Sequence, residues 1–197
     1  MSFKKIPYGQ SNFADLIENG YAYVDKTRFI ELLEKENNTY QFFIRPRRFG
    51  KSLFLSSLEN YYDLNKKDKF ESIFGNFYIG KNPTSEQGKY AVIQFDFSGL
   101  NTDSHYEFKS SFSNEIQETV KAFIDTYKNV IPNYEALSKQ LKDNNYGIGA
   151  MTLVYAAAKN SDIPIFVIID EYERENWASS GKLHSVKFGT GFGKEGV

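Results

Sequence analysis

Gln41-Phe42-Phe43-Ile44-Arg45-Pro46-Arg47-Arg48-Phe49-Gly50-Lys51-Ser52-Leu53 is the stretch whose reading decides the fold. The apolar run Gln41 to Ile44 predicts a short strand. Behind Lys51, the series Leu53, Phe54, Leu55, Leu58, Tyr61, Tyr62 and Leu64 predicts a helix. Strand, tight basic loop, Gly-Lys-Ser and helix is the layout of a phosphate-binding loop. Gly50 lets the backbone come close to a phosphate. The free N–H groups at the helix start point at the anion, and the helix dipole favours its charge. Lys51 reaches the terminal phosphates, and the Ser52 hydroxyl suits Mg2+. The standard pattern has glycine where this chain has Arg45. Gly-Lys-Ser alone is a weak signal, and a basic surface turn before a helix is the plain alternative.

A second motif raises the weight of the first. Ile163-Pro164-Ile165-Phe166-Val167-Ile168-Ile169-Asp170-Glu171 is a continuous β-branched and aromatic run. Such a run suits a strand buried on both faces, with Pro164 tolerated at its start. It ends on two adjacent acids. In α/β sheets ligands bind beyond the carboxyl ends of strands. Asp170 can there hold Mg2+, and Glu171 can polarise an attacking water. Taken alone, the run is a strand ending in solvated acids. Taken with Gly50-Lys51-Ser52, it is the second half of a nucleotide site.

Composition narrows the classes. The chain has 197 residues, 41% of them apolar and 17% aromatic, which is rich enough to fold. Its net charge of −1 gives no global field toward nucleic acid or anionic membrane. It has no cysteine, which excludes disulfides, thiolate catalysis and cysteine-based zinc sites and fits a cytoplasmic location. The longest strongly apolar run, Ile163 to Ile169, is too short to span a bilayer. No signal peptide is visible after Lys4 and Lys5.

In chain order, Ser11 is expected to cap a short helix stopped by Gly20. Tyr21 to Val24 reads as a strand, and Thr27 as the cap of a helix carrying Phe29, Ile30, Leu32 and Leu33. Asp25 to Thr27 is either a strand end plus helix cap or a neighbour of the nucleotide. A short helix is expected around Phe70 to Phe74, and a strand over Tyr90 to Phe97. Asp103 or Ser104 should cap a long helix with the stripe Tyr106, Phe112, Ile116, Val120, Phe123, Ile124 and Tyr127, ended by Pro132. Two more helices carry Tyr134, Leu137 and Leu141, then Met151, Leu153, Val154 and Ala157. These stripes read as core, with no cofactor box in them.

Tyr23-Val24-Asp25-Lys26-Thr27, Phe43 to Leu53 with its Arg-Pro-Arg-Arg-Phe-Gly-Lys-Ser, Asp96-Phe97-Ser98 and Ile169-Asp170-Glu171-Tyr172 resemble the bacterial AAA-ATPase-like proteins. The resemblance covers about Ile6 to Tyr172. It implies an α/β fold, the P-loop NTPase three-layer sandwich with a mainly parallel sheet of order 5-1-4-3-2. It implies Mg-dependent ATP hydrolysis. Arg45, Pro46, Arg47, Arg48, Phe49, Gly50, Lys51, Ser52 and Leu53 would bind ATP, Ser52 and Asp170 would hold Mg2+, and Lys51 and Glu171 would be catalytic. Family members usually continue into a domain resembling PD-(D/E)XK nucleases. The expected organisation is 1–40 as a strand–helix extension, 41–173 as a partial ATPase core and 174–197 as an atypical tail with at most a short strand at Leu183 to Phe188. Strands 4 and 5 would follow Asp170, so the chain reads as truncated or drifted there, and turnover by it alone is in question. The alternatives are a nucleic-acid module built on the Arg45 to Lys51 loop and its aromatics, and a non-catalytic regulatory fragment. A nucleic-acid or protein partner would come through the parent protein, with no membrane; oligomerisation is open.

Overall fold

The computed structural model describes residues 5–36, 38, 40–44, 48–143 and 147–171. The chain divides into two compact units, Met1–Ala91 and Val92–Val197. Its elements are α1 (Phe13–Glu18), α2 (Arg28–Lys35), α3 (Lys51–Tyr62), α4 (Phe70–Phe74), α5 (Tyr78–Lys81), β1 (Ala91–Asp96), α6 (His105–Thr126), α7 (Tyr134–Asp143), α8 (Gly147–Ser161) and β2 (Ile165–Asp170). The class is α/β, with helices outnumbering a small parallel pair of strands, β1 and β2.

The first unit is built around α3. Its apolar residues recur at helical spacing, yet burial extends round the helix to Ser56, Ser57 and Asn60. These polar residues are tolerated because they are hydrogen-bonded. Ser57 Oγ donates to the Phe54 carbonyl at 2.7 Å, and Asn60 Nδ2 to the Ser56 carbonyl at 2.8 Å. Ser56 Oγ accepts the Phe13 N–H at 3.0 Å, tying the first turn of α1 to α3. Phe13 then packs on Tyr23, Phe74 and Phe77, with ring centroids 5.0, 5.2 and 6.1 Å away. Tyr61 adds edge contacts to Phe70 and Phe74. Behind α3, Glu34 of α2 accepts hydrogen bonds from Tyr62 Oη at 3.0 Å and Thr84 Oγ1 at 2.9 Å.

In the second unit α6 packs along α8 and against α7. It buries Ile116, Val120, Phe123 and Ile124; α8 answers with Ala150, Leu153, Val154 and Ala157. The hydroxyl of Tyr127, at the C-cap of α6, accepts the Val92 N–H of β1 at 2.8 Å. A 3-10 turn at Phe97–Gly99 follows β1, and Phe97 packs on Phe112 at 5.1 Å.

Several expectations are corrected. Gln41 to Ile44 and Tyr21 to Val24 lie outside any ladder among the described residues. In the first, side-chain exposure does alternate, with Phe42 and Ile44 outward at 67% and 83%. Alternation marks the two faces of an extended segment but does not supply the neighbour that makes it a strand. In the second, the Tyr21 and Ala22 N–H groups go instead to the Leu16 and Lys5 carbonyls. Asn12, not Ser11, caps α1, its side chain accepting the Asp15 N–H. Thr27 stands at the start of α2 without a capping hydrogen bond. The stripe on α6 begins later than expected, because Tyr106 in its first turn is 81% exposed. α6 stops at Thr126, well before Pro132, as Tyr127 turns to meet β1. β2 is buried on one face and half-buried on the other, where the sheet among the described residues has two strands and covers less than a wide one. The tail strand at 183–188 lies outside the described residues.

Candidate functional site

In the first unit the site begins with backbone conformation. Arg48 and Gly50 both adopt left-handed φ, +69° and +78°. Glycine does so freely, whereas arginine does so at a cost. Gly50 is the N-cap of α3, and its carbonyl accepts the Phe54 N–H at 3.0 Å. It brings no side chain to cap the first-turn N–H groups, and the first turn holds no acid. Lys51 and Ser52 are the first two residues of the helix and are half-buried; Leu53 follows. Arg48 and Phe49 face solvent, Phe49 at 62%. A left-handed turn opening a 12-residue helix with cations and no acid is electrostatically suited to an anion. Arg45, Pro46 and Arg47 lie outside the described residues.

A second turn of the same unit reaches this loop. The Asp25 carboxylate accepts the Thr27 N–H at 2.8 Å, the Thr27 hydroxyl at 2.7 Å and the Tyr78 N–H at 2.8 Å. Thr27 is fully buried, and its Oγ1 in turn accepts the Ile79 N–H at 3.1 Å. Burial pushes the Tyr23 phenol up to about 12, with a hydrogen bond from the Lys26 backbone opposing it. Lys26 is left half-buried with its amine beside the loop. A β-carbon placed on Gly50 would sit 3.8 Å from Lys26 Nζ. Of Asp25 to Thr27, read either as a strand end plus helix cap or as a neighbour of the nucleotide, Thr27 does stand at the N-cap position of α2 and Lys26 does come beside Gly50.

In the second unit, β1 and β2 each end on an aspartate, Asp96 and Asp170. Asp96 is exposed and accepts the Ser98 N–H at 2.9 Å, so it caps the turn after β1. Asp170 is 5% exposed, and its Oδ1 accepts the Glu171 N–H at 2.9 Å. Glu171 itself is left-handed, φ +54°. A buried acid followed by an acid in a costly backbone conformation is the strain pattern that concentrates at functional positions. Nothing in the residue types predicts left-handed Arg48 or Glu171; neither is Gly or Asn. Among the described residues no group of three or more His, Cys, Asp or Glu is placed to hold a metal. No helix among them is long and apolar enough to cross a membrane.

The chain is 53% identical over 60 residues to the "Uncharacterized protein in vnfD 5'region" of Azotobacter chroococcum mcd 1, over 29% of this chain and 11% of that protein. The chain thus spans well under two thirds of that relative's length. No solved structure matches. The profile of the family described as "Predicted AAA-ATPase" matches residues 7–182, which take in both the Gly50 turn and the Asp170-Glu171 pair. The chain therefore belongs to the AAA-ATPase-like family.

Proposed function

We propose that the chain binds ATP with Mg2+ on Arg45 to Leu53, and that its ancestral chemistry is ATP hydrolysis. The start of α3 carries the reading: left-handed Gly50 opens a helix whose first turn holds Lys51 and Ser52 and no acid, inside a family whose name implies nucleotide binding. Lys51 donates to terminal phosphate oxygens, and the first-turn N–H groups cradle them. Ser52 and Asp170 are hard oxygen donors of the kind Mg2+ takes in ones and twos, leaving the rest of its shell to phosphates and water. Mg2+ supplies neutralisation of the charge that develops on the phosphates. Glu171 orients the attacking water and accepts its proton. In this reading 1–40 is an extension and 41–173 the P-loop core. The adjacency of β1 and β2 is the relation the expected strand order gives strands 2 and 3.

Calorimetry of Mg-ATP on the purified chain tests this, with Lys51→Ala as control. Saturable binding that the substitution abolishes is the expected result. A folded chain that binds no nucleotide refutes it. One observation favours a second reading, a single-stranded nucleic-acid surface: Phe42, just before the Arg45 to Lys51 stretch in sequence, and Phe49, within it, are 67% and 62% exposed. Affinity for an oligonucleotide that falls steeply with salt and ignores Mg-ATP would favour that reading.

A further inference from the structure

A lysine outside the Gly-Lys-Ser signature stands at the same turn. Lys26 Nζ lies 3.8 Å from where a β-carbon of Gly50 would be. Among the described residues it has no ion pair or side-chain hydrogen bond. Its half-buried side chain is nevertheless held by a rigid base. The Asp25 carboxylate takes three hydrogen bonds, and two of their donors are on the buried Thr27. The first two N–H groups of α5 are both spent on this turn, Tyr78 on Asp25 and Ile79 on Thr27. Tyr78 is pinned in its own right, its hydroxyl donating to Glu31 at 2.7 Å and its ring lying under the Arg28 guanidinium at 5.7 Å.

This is more fixation than a surface lysine needs. A solvated lysine turn satisfies its own polar groups or leaves them to water. Here an aspartate, a buried threonine and the start of a separate helix are spent on fixing the residue between them. The amine so placed lies at the glycine turn that opens α3, where the free first-turn N–H groups and the helix dipole favour an anion. A polyphosphate is such an anion.

We infer that Lys26 is a second phosphate-binding cation of the loop, held in place by Asp25, Thr27 and the start of α5. This rests on the nucleotide reading above. Lys26 is a binding residue, contacting the polyphosphate and not the base or sugar. Its loss should therefore weaken Mg-ATP and inorganic pyrophosphate alike.

The test is calorimetry on the full chain with Mg-ATP and with Mg-pyrophosphate, for wild type, Lys51→Ala, Lys26→Met and Lys26→Arg. Methionine keeps the length and apolar stem of lysine and removes the charge. Loss of one charge-assisted contact should weaken both probes by about tenfold or more in Lys26→Met. Lys26→Arg should recover most of that loss, with the thermal midpoint unchanged in both variants. Lys26→Met within about twofold of wild type, while Lys51→Ala abolishes binding, overturns the role of Lys26 and leaves the nucleotide reading standing. A fall in melting temperature alongside affinity that Lys26→Arg does not repair also overturns it, since the lysine would then be structural. A folded wild-type chain that binds neither probe removes both readings together.

Discussion

Replacing Gly80 by alanine should destabilise the first unit although no polar group is lost. A β-carbon on Gly80 would lie 2.0 Å from the Phe74 carbonyl oxygen, 2.5 Å from its carbon and 2.9 Å from Gly75 Cα. All three are backbone atoms, so no side chain can swing aside. The approach must open by at least about 1 Å to leave the repulsive wall. That moves α5 off the end of α4. α5 carries Ile79, which is fully buried, and the N–H groups that bind Thr27 and Asp25. Overpacking costs about 1–3 kcal/mol. Weakening the two hydrogen bonds adds roughly 1 kcal/mol each. Alanine's better helix propensity returns about 1 kcal/mol. The net loss is about 2–4 kcal/mol, a large part of a typical total of about 5–15. The thermal midpoint should fall by about 5–15 °C. Gly99→Ala is the control, since nothing lies within 4 Å of its β-carbon; it should stay within about 0.5 kcal/mol of wild type. Urea and thermal melts followed by circular dichroism measure both. A Gly80→Ala chain as stable as the Gly99→Ala control would refute the reasoning.

Ser56→Ala leaves the Phe13 N–H without its 3.0 Å acceptor in a buried place and should cost about 1–3 kcal/mol, read as a lower urea midpoint with an unchanged slope. Burial raises the Glu34 carboxyl above its ordinary range, against the hydrogen bonds from Thr84 and Tyr62. A raised folded-state value means the contribution of Glu34 is fully present below the unfolded carboxylate range and is lost as pH rises through the folded one. Glu34→Gln, which stays neutral, should therefore raise the midpoint relative to wild type at pH 7 and leave it near wild type at pH 4; an equal shift at both would exclude ionisation as the cause. Lys51→Ala should abolish Mg-ATP binding, and Lys26→Met should weaken it by about tenfold with Lys26→Arg restoring it; calorimetry separates the two.

Much was legible in the residues because it depends on local chemistry. The helix behind Lys51, the short helix at Phe70–Phe74, the strand ending on Asp96 and the strand ending on Asp170 all follow from apolar spacing and its interruptions. The basic glycine turn and the two adjacent acids were legible as residue types, and the family match spans both. The misreadings fall where a local signal needs a distant partner. Gln41 to Ile44 alternates as a strand does, but among the described residues it joins no ladder. Thr27 has the chemistry of a helix cap, but its hydroxyl is taken by Asp25 and Ile79.

The sequence by itself determined which segments are apolar, where most of the helices lie, and which side chains are chemically able to hold a phosphate or a cation. These depend on interactions a few residues apart. Only the tertiary structure decided that Arg48 and Glu171 take left-handed backbone, that Gly80 is small because α4 lies against it, and that Lys26 comes beside Gly50. The meeting of Lys26 with Gly50 depends on the folded path of the chain, and that of Gly80 with the end of α4 on the turn between two helices, neither of which residue propensity alone fixes.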